Sequence, residues 1–426
     1  MSPSRTRNLK LDWITIILFL LLVGFGWVNI LSASASGEIS SYFDMGQPYG
    51  KQLIFILFTF VLIILIISIE AKFYERFASV IYLVSIISLV GLFVFGKNVN
   101  GATSWYAIGG MTLQPSEFAK FATALAVAKY ISDLQTNIKS LKDQLRTVLI
   151  IIAPAFLILL QNDAGSTIVY AAFFFVFYRE GIPQIYLILA TSVILLSVLS
   201  LKFGGLATII TVMVLVFAHY IFIRKKKKRI AQPFIIVALC AGVIFGVQFF
   251  YNSILQQHQQ DRISLWLRLE KDPEKLEQMK QTILYNLNES EKAISSGGGF
   301  GKGFMEGTRT IGNFVPEQHT DYIFSTVGEE WGFVGSSLVV ILFVLLIVRI
   351  LHLAELQKSQ FSRIYGYGVA SILFFHFMIN IGMVMGLIPT IGIPLPFFSY
   401  GGSSLWGFTL LLFIFIKLDS NRINEW

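Results

Sequence analysis

The strongest constraint on the fold is a series of apolar runs, almost free of charge, that recurs along the whole chain. A helix of ~20 apolar residues spans a bilayer, and lipid requires every backbone polar group to be satisfied within the segment. The runs lie at 13–31, 51–69, 75–95, 115–132, 145–161, 164–179, 184–201, 206–223, 233–251, 322–349, 364–388 and 402–418. We therefore predict an all-α polytopic membrane protein with about 12 transmembrane helices, forming a single transmembrane domain over residues 1–426.

The distribution of basic residues predicts the orientation of these helices. The chain is 55% hydrophobic and carries a formal net charge of +8, but its lysines and arginines cluster in short loops, such as residues 224–229. This pattern is typical of cytoplasmic loops and argues against nucleic-acid binding. The same count places residues 96–116, 161–164, 389–402 and a large loop at about 252–321 on the outer side.

The segment 297–335 is rich in glycine and in charged residues, although it lies between apolar runs. Such a segment cannot lie in lipid, and its glycines allow the backbone to approach a ligand closely. We predict a site at the membrane surface. Its candidate substrate-binding residues are Lys302, Arg309, Glu317, His319, Asp321 and Glu329.

Two shorter polar segments supply further candidates. Glu117 and Lys120 follow Pro115 at a helix start and share a helix face, which is typical either of a capped ion pair or of a substrate site. Asp163 lies between two apolar runs, where an acid needs a partner such as Lys120 or Lys302. A tight polar turn is the alternative for Asp163.

Two proline-containing segments remain open to more than one interpretation. In the segment 389–402, prolines and glycines interrupt an apolar run, which favours a cavity wall containing Ser399 over a static kink. In the outer loop, Asp272 precedes Pro273, a pattern that most often marks only a turn or a helix start.

An ordered set of motifs resembles the SEDS family (shape, elongation, division and sporulation) over nearly the whole chain. None of the motifs is decisive alone, but their order along the chain is specific to the family. The sequence of residues 301–308 resembles the rod-shape (RodA) branch more than the division (FtsW) branch. The motifs lie at 114–120, 161–166, 261–263, 297–303, 316–324, 329–335, 380–383 and 394–403.

The resemblance implies specific residue roles and a specific architecture. The family's essential outer-loop aspartate corresponds to Asp272, which follows Arg262 and precedes Pro273. This chain departs from the family in a charged insert at 274–280 and in Glu289, where the family has glutamine. The family core has ten transmembrane helices, so two helices between about 184 and 251 are extra.

The resemblance also implies an activity: a peptidoglycan glycosyltransferase that polymerises lipid II during cell-wall elongation and releases undecaprenyl diphosphate. Asp272 would be the catalytic base, and Mg²⁺ held by Glu117 and Asp163 would assist the leaving diphosphate. The implied partners are a class B penicillin-binding transpeptidase and other elongation-complex membrane proteins, in the bacterial cytoplasmic membrane with the site facing outward. A lipid II flippase and a non-catalytic scaffold of the wall-synthesis complex are the alternatives.

The predicted topology has a direct test. In a Cys240→Ala background, Lys280→Cys should react with a membrane-impermeant thiol reagent in intact cells, because it lies in the outer loop. Lys226→Cys, within the basic run 224–229, should not react. The reverse labelling pattern would overturn the orientation.

Overall fold

The structure is a computed structural model that describes residues 10–35, 41–99, 101–109, 111–222, 230–255, 257–269, 272 and 285–422. The chain divides into two compact units. The larger unit comprises Met1–Ile182, Glu289–Leu387 and Ile391–Trp426, and the smaller comprises Pro183–Asn288 and Ile388–Thr390. The single transmembrane domain expected for residues 1–426 stays a prediction.

The described part of the chain is almost entirely helical. Several helices begin where the sequence supplies a start signal: Asp12 and Ser359 cap the helices that follow them, and prolines occupy the first turn of α2 and α4. The helices are α1 (Trp13–Ser34), α2 (Pro48–Ser68), α3 (Ala71–Phe95), α4 (Pro115–Ile131), α5 (Leu141–Leu160), α6 (Ala164–Ile168), α7 (Phe173–Arg179), α8 (Ile185–Phe203), α9 (Gly205–Phe222), α10 (Ala231–Phe249), α11 (Gln257–Trp266), α12 (Tyr285–Ser296), α13 (Thr308–Ile311), α14 (Ile323–Glu330), α15 (Gly332–Glu355), α16 (Gln360–Val384) and α17 (Gly402–Asn421).

Ten of the described helices are long and apolar enough to cross a membrane, which confirms the prediction of an all-α membrane protein. The other two expected spans are shorter. Helix α4 has 17 residues, and the segment Ala164–Arg179 is interrupted by a 3₁₀ turn at Val169–Ala172. The total of about 12 therefore stays a prediction.

Helix α4 lies at the centre of the larger unit. It contacts α3, α5, α16 and α17, and most of its residues are buried. Small side chains such as Ala119 and Ala122 allow the neighbouring helices to approach closely. On α17, a Cβ at Gly407 would lie 2.9 Å from the Glu117 carbonyl oxygen, so glycine permits the contact with the start of α4.

The predicted run 322–349 is wrong as a single helix. The structure divides it into α14 and α15 at Gly332, which has a φ of +63°. A Cβ at Gly332 would lie 2.3 Å from the Gly301 amide nitrogen, so the glycine segment packs directly against this break. The break separates two buried glutamates, Glu329 and Glu330, from the membrane-spanning part of α15.

The predicted outer loop at 96–116 contains a small antiparallel sheet that the apolar pattern does not indicate. Its strands are β1 (Lys97–Val99), β2 (Ala102–Ile108) and β3 (Met111–Leu113), in the order β1-β2-β3. The end of the sheet is fixed to α17, because Ser403 Oγ accepts the Gln114 N–H at 3.1 Å and donates to the Thr112 carbonyl. The sheet thus leads directly into the start of α4.

The smaller unit contains the long apolar helices α8, α9 and α10 over the region where the sequence predicted two helices beyond the family core; that two of them are extra stays a prediction. Within it, α8, α9 and α10 contact one another, and α10 continues into a π-helical turn at Phe250–Ile254. Most of their apolar side chains are exposed, as expected for helices that face lipid.

Candidate functional site

A cavity of about 590 Å³ lies in the larger unit, among the β2–β3 turn, the starts of α2, α4, α6 and α17, and the segments around 320 and 394. Its lining combines apolar and ionisable side chains. Four carboxylic acids and one lysine contribute to it: Glu117, Asp163, Glu317, Asp321 and Lys51. All four acids were candidates from the sequence.

Glu117 and Lys120 form a buried ion pair in the first turns of α4. Their side chains are about 3% exposed, and Lys120 Nζ lies 2.8 Å from both carboxylate oxygens of Glu117. The predicted pair is therefore present, and Glu117 lines the cavity. The ion pair is also contacted by His376, whose Nε2 lies 3.0 Å from Lys120 Nζ.

Asp163 is the N-cap of α6 and also lines the cavity. Its carboxylate accepts the Ser166 N–H at 2.9 Å, the Ser166 hydroxyl at 2.8 Å and the Gln114 amide at 3.0 Å. The expected partners, Lys120 and Lys302, instead pair with Glu117 and Glu329. Hydrogen bonds thus replace the predicted ion pair of Asp163.

The segment 317–321 forms another part of the cavity wall. Glu317 has a φ of +58° and accepts the Thr320 hydroxyl at 2.8 Å, while its backbone closes a turn with Thr320. The His319 ring packs against Tyr400 with centroids 5.4 Å apart. Burial lowers the pKa of His319, although the nearby Glu317 acts in the opposite direction. His319 is therefore a neutral ring at pH 7.

Ser399 is buried and serves as a fixed point of the proline-rich segment. Its hydroxyl donates to the Thr320 carbonyl at 2.7 Å and accepts the Leu395 N–H at 2.8 Å. The segment 391–401 is thus attached to the segment around 320. Ser399 is not among the described residues that line the cavity. It stabilises the cavity wall through these two hydrogen bonds.

Lys302, Arg309 and Glu329 lie together in the glycine segment, where Glu329 is the centre of a hydrogen-bond network. Its carboxylate accepts Lys302 Nζ at 2.7 Å and the N–H groups of Arg309 and Thr310 at 3.0 and 2.9 Å. Burial raises the pKa of Glu329, but these hydrogen bonds outweigh it and hold the pKa below its usual value. Arg309 also pairs with Glu289, the residue that departs from the family motif. These charges organise the segment itself, and none of them is among the described residues that line the cavity.

Asp272 belongs to the smaller unit, where its side chain is exposed. The neighbouring insert at 274–280 lies outside the described residues. The catalytic role of Asp272 stays a prediction.

The expected Mg²⁺ ligands do not fit a metal ion in their present arrangement. Magnesium requires available carboxylate oxygens, but both oxygens of Glu117 accept from Lys120, and those of Asp163 accept from Ser166 and Gln114. Across the described residues, no group of three or more His, Cys, Asp or Glu side chains is arranged to hold a metal. A Mg²⁺ ion stays a prediction.

Two residues near the site were missed by the sequence analysis. Lys51, at the start of α2, lines the cavity, and His376 on α16 contacts Lys120. A signal for His376 was present, because an ionisable residue within a long apolar run is a functional candidate by default. Lys51 was hidden because it reads as a basic residue beside a membrane span.

Comparisons with known proteins agree with this architecture. The family profile of the FtsW, RodA and SpoVE cell cycle proteins matches residues 12–232 and 183–424. The peptidoglycan glycosyltransferase RodA of Treponema pallidum is 30% identical, over 96% of this chain and 98% of its own length. The peptidoglycan glycosyltransferase MrdB of Escherichia coli K12 is 32% identical, over 91% and 88%. A solved structure on the coordination of polymerization and crosslinking by a peptidoglycan synthase complex has the same fold, with a TM-score of 0.69, 23% identity and coverage of 98% of this chain and 100% of that chain.

The buried Glu330 predicts a pH dependence of stability. Burial raises its pKa from 4.5 to about 7, with Glu329 adding to the effect and the hydrogen bond from Ser32 opposing it. Because the folded state holds the proton more tightly than the unfolded state, this contribution is fully present below pH 4.5 and is lost as the pH rises to about 7. Glu330→Gln should weaken the fall in thermal unfolding midpoint between pH 5 and pH 8. An equal fall in both proteins would contradict the assignment.

Proposed function

The chain belongs to the family of FtsW, RodA and SpoVE cell cycle proteins, and from this premise we propose that it is a peptidoglycan glycosyltransferase of the RodA branch. It polymerises lipid II into glycan strands during cell-wall elongation. The observation that carries the proposal is the nearly full-length match to relatives named peptidoglycan glycosyltransferases, at 30% and 32% identity.

The proposed reaction is a glycosyl transfer between two lipid-linked molecules. An acceptor hydroxyl loses its proton to the Asp272 carboxylate as its oxygen forms a bond to the anomeric carbon of the donor. The bond to the diphosphate breaks, and undecaprenyl diphosphate leaves with the electron pair. Each cycle ends with one glycosidic bond formed and one proton transferred to the base.

The cavity supplies a cation for the leaving diphosphate in Lys51, which lies in its lining. The other basic candidates, Lys120, Lys302 and Arg309, are each paired with a glutamate. A divalent cation is proposed from the sequence alone, and no ligand is assigned to it because the carboxylates of Glu117 and Asp163 are already engaged; Mg²⁺ would help to neutralise the diphosphate when bound. Polymerisation that persists unchanged in EDTA would remove it.

The protein is a multi-pass bacterial membrane protein, and its site is proposed to face outward. This orientation follows from the basic loops, which place the large outer loop and the segments around 320 and 394 on one side. The proposed partner is a class B penicillin-binding transpeptidase, together with other elongation-complex membrane proteins. Its support is the similarity to the solved peptidoglycan synthase complex.

Asp272→Asn tests the catalytic assignment, because it keeps the side-chain size and removes the basicity. Purified protein is incubated with lipid II, and the glycan products are separated on a gel. The variant should polymerise about a hundredfold to ten-thousandfold more slowly than wild type, while its folding and lipid II binding are retained.

Asp261→Asn and Glu270→Gln are the matched controls for Asp272. Asp261 accepts a hydrogen bond from Gln257, so Asp261→Asn removes a carboxylate that has a structural role. Both controls should retain more activity than Asp272→Asn. Near wild-type polymerisation by Asp272→Asn, with one control inactive, would place the base on the wrong acid. Transbilayer movement of lipid II by the wild type without polymer would instead favour a flippase.

Glu117→Gln tests whether the buried pair serves the reaction as well as the fold. Glutamine keeps an acceptor for Lys120, so the protein should stay folded, whereas Glu117→Ala should cost about 3–5 kcal/mol by leaving a buried ammonium without its partner. We expect Glu117→Gln to reduce polymerisation at least about tenfold. Glu180→Gln, in a separate ion pair with Arg363, is the control and should remain active. A loss of activity that only follows loss of folded protein would restrict Glu117 to a structural role.

A further inference from the structure

His376 is a buried histidine on α16, 1% exposed, and it contacts groups from two different walls of the cavity. Its Nε2 lies 3.0 Å from Lys120 Nζ, and its Nδ1 lies 3.3 Å from the Pro394 carbonyl oxygen. The edge of its ring meets Phe408, with centroids 4.7 Å apart, and Lys120 Nζ lies 4.8 Å from the centre of that same ring. Both side chains are therefore held in one orientation.

These contacts define which ring nitrogen carries the proton. A lysine ammonium has three donors and no acceptor, so Nε2 of His376 accepts from Lys120. The proton then lies on Nδ1, which donates to the Pro394 carbonyl. His376 is thus a neutral ring with one acceptor and one donor, and both are used.

The same contacts account for every donor of Lys120. Two N–H groups reach the two carboxylate oxygens of Glu117 at 2.8 Å, and the third reaches His376. Without His376, the third donor would be buried without an acceptor, at a cost that favours rotation of the ammonium away from Glu117. The position of the Glu117 carboxylate therefore depends on His376.

The contacts form a chain between two walls. Glu117 and Pro394 both line the cavity. Lys120 and His376 are not among the described lining residues, but their hydrogen bonds link Glu117 to Pro394. One helical turn along α16, Asn380 donates to the Ile393 carbonyl at 2.6 Å, so two side chains of one helix face hold successive carbonyls of the same segment.

We propose that His376 is a positioning residue of the glycosyltransferase site, which holds Lys120 against Glu117 and sets this pair at a fixed distance from the Pro394 wall. The inference rests on the proposed function, since the distance matters only for a ligand in the cavity. It assigns the decisive contact to Nε2, with the bond from Nδ1 orienting the ring.

The test uses three substitutions with different geometry. His376→Gln places an amide near the position of Nε2, where it can accept from Lys120, whereas His376→Asn reaches only the position of Nδ1. His376→Phe keeps a ring and removes both contacts. Tyr365→Phe is the matched control, because it removes one buried hydrogen bond, to the Leu411 carbonyl, from the same helix.

Two quantities are measured for each full-length protein: lipid II polymerisation per folded protein, and the rise in thermal unfolding midpoint on addition of lipid II. We expect His376→Phe and His376→Asn to polymerise about ten- to hundredfold more slowly, the size expected for one lost charge-assisted hydrogen bond. His376→Gln should recover most of the rate, and Tyr365→Phe should keep it. The rise in thermal unfolding midpoint on addition of lipid II should be smaller in His376→Phe than in Tyr365→Phe.

Three results would overturn the inference: wild-type rates in His376→Phe, equal losses in the glutamine and asparagine variants, or losses that only follow unfolding. If wild-type protein forms no polymer, the proposed glycosyltransferase function fails. The inference is then tested by the rise in thermal unfolding midpoint on addition of lipid II. An equal rise in His376→Phe and Tyr365→Phe would contradict it.

Discussion

The site depends on the burial of a charged pair at the centre of the larger unit. An ammonium in such surroundings is stable only when its donors are satisfied, and Lys120 meets this condition through Glu117 and His376. The condition also fixes the start of α4, because both partners of the pair lie in its first turns. The pair therefore couples the fold of α4 to the shape of the cavity that Glu117 lines.

A second constraint acts on the non-helical segments that build the cavity walls. Their backbone groups need partners at a depth where lipid offers none, and buried side chains provide them. Asn380 donates to the carbonyls of Asp321 and Ile393, and Ser399 donates to that of Thr320. These side chains thus supply hydrogen bonds that a helix would form within itself.

The apolar runs predicted most helices because length and hydropathy are local properties of the sequence. Two features were not predictable in that way. The division of 322–349 depends on the contact between Gly332 and Gly301, which are distant in sequence, and the sheet at 97–113 depends on pairing and on Ser403. Each is decided by a tertiary contact.

The site was predictable to the extent that its residues act on their own helix. The Glu117–Lys120 pair follows from a three-residue spacing, whereas His376 is 256 residues from Lys120 and only the fold brings them together. The same limit explains why Lys302 and Glu329 were predicted as substrate-binding residues. The sequence of a glycine segment does not distinguish a charged side chain that faces a ligand from one that satisfies the backbone of its own loop. In the structure Glu329 does the latter, and its five hydrogen bonds, to Lys302, Thr308, Arg309 and twice to Thr310, hold the loop closed. A carboxylate so fully engaged serves its own loop, and neither it nor Lys302 lines the cavity among the described residues, so the cavity lined by Glu117 and Lys51 is the better candidate for the substrate site.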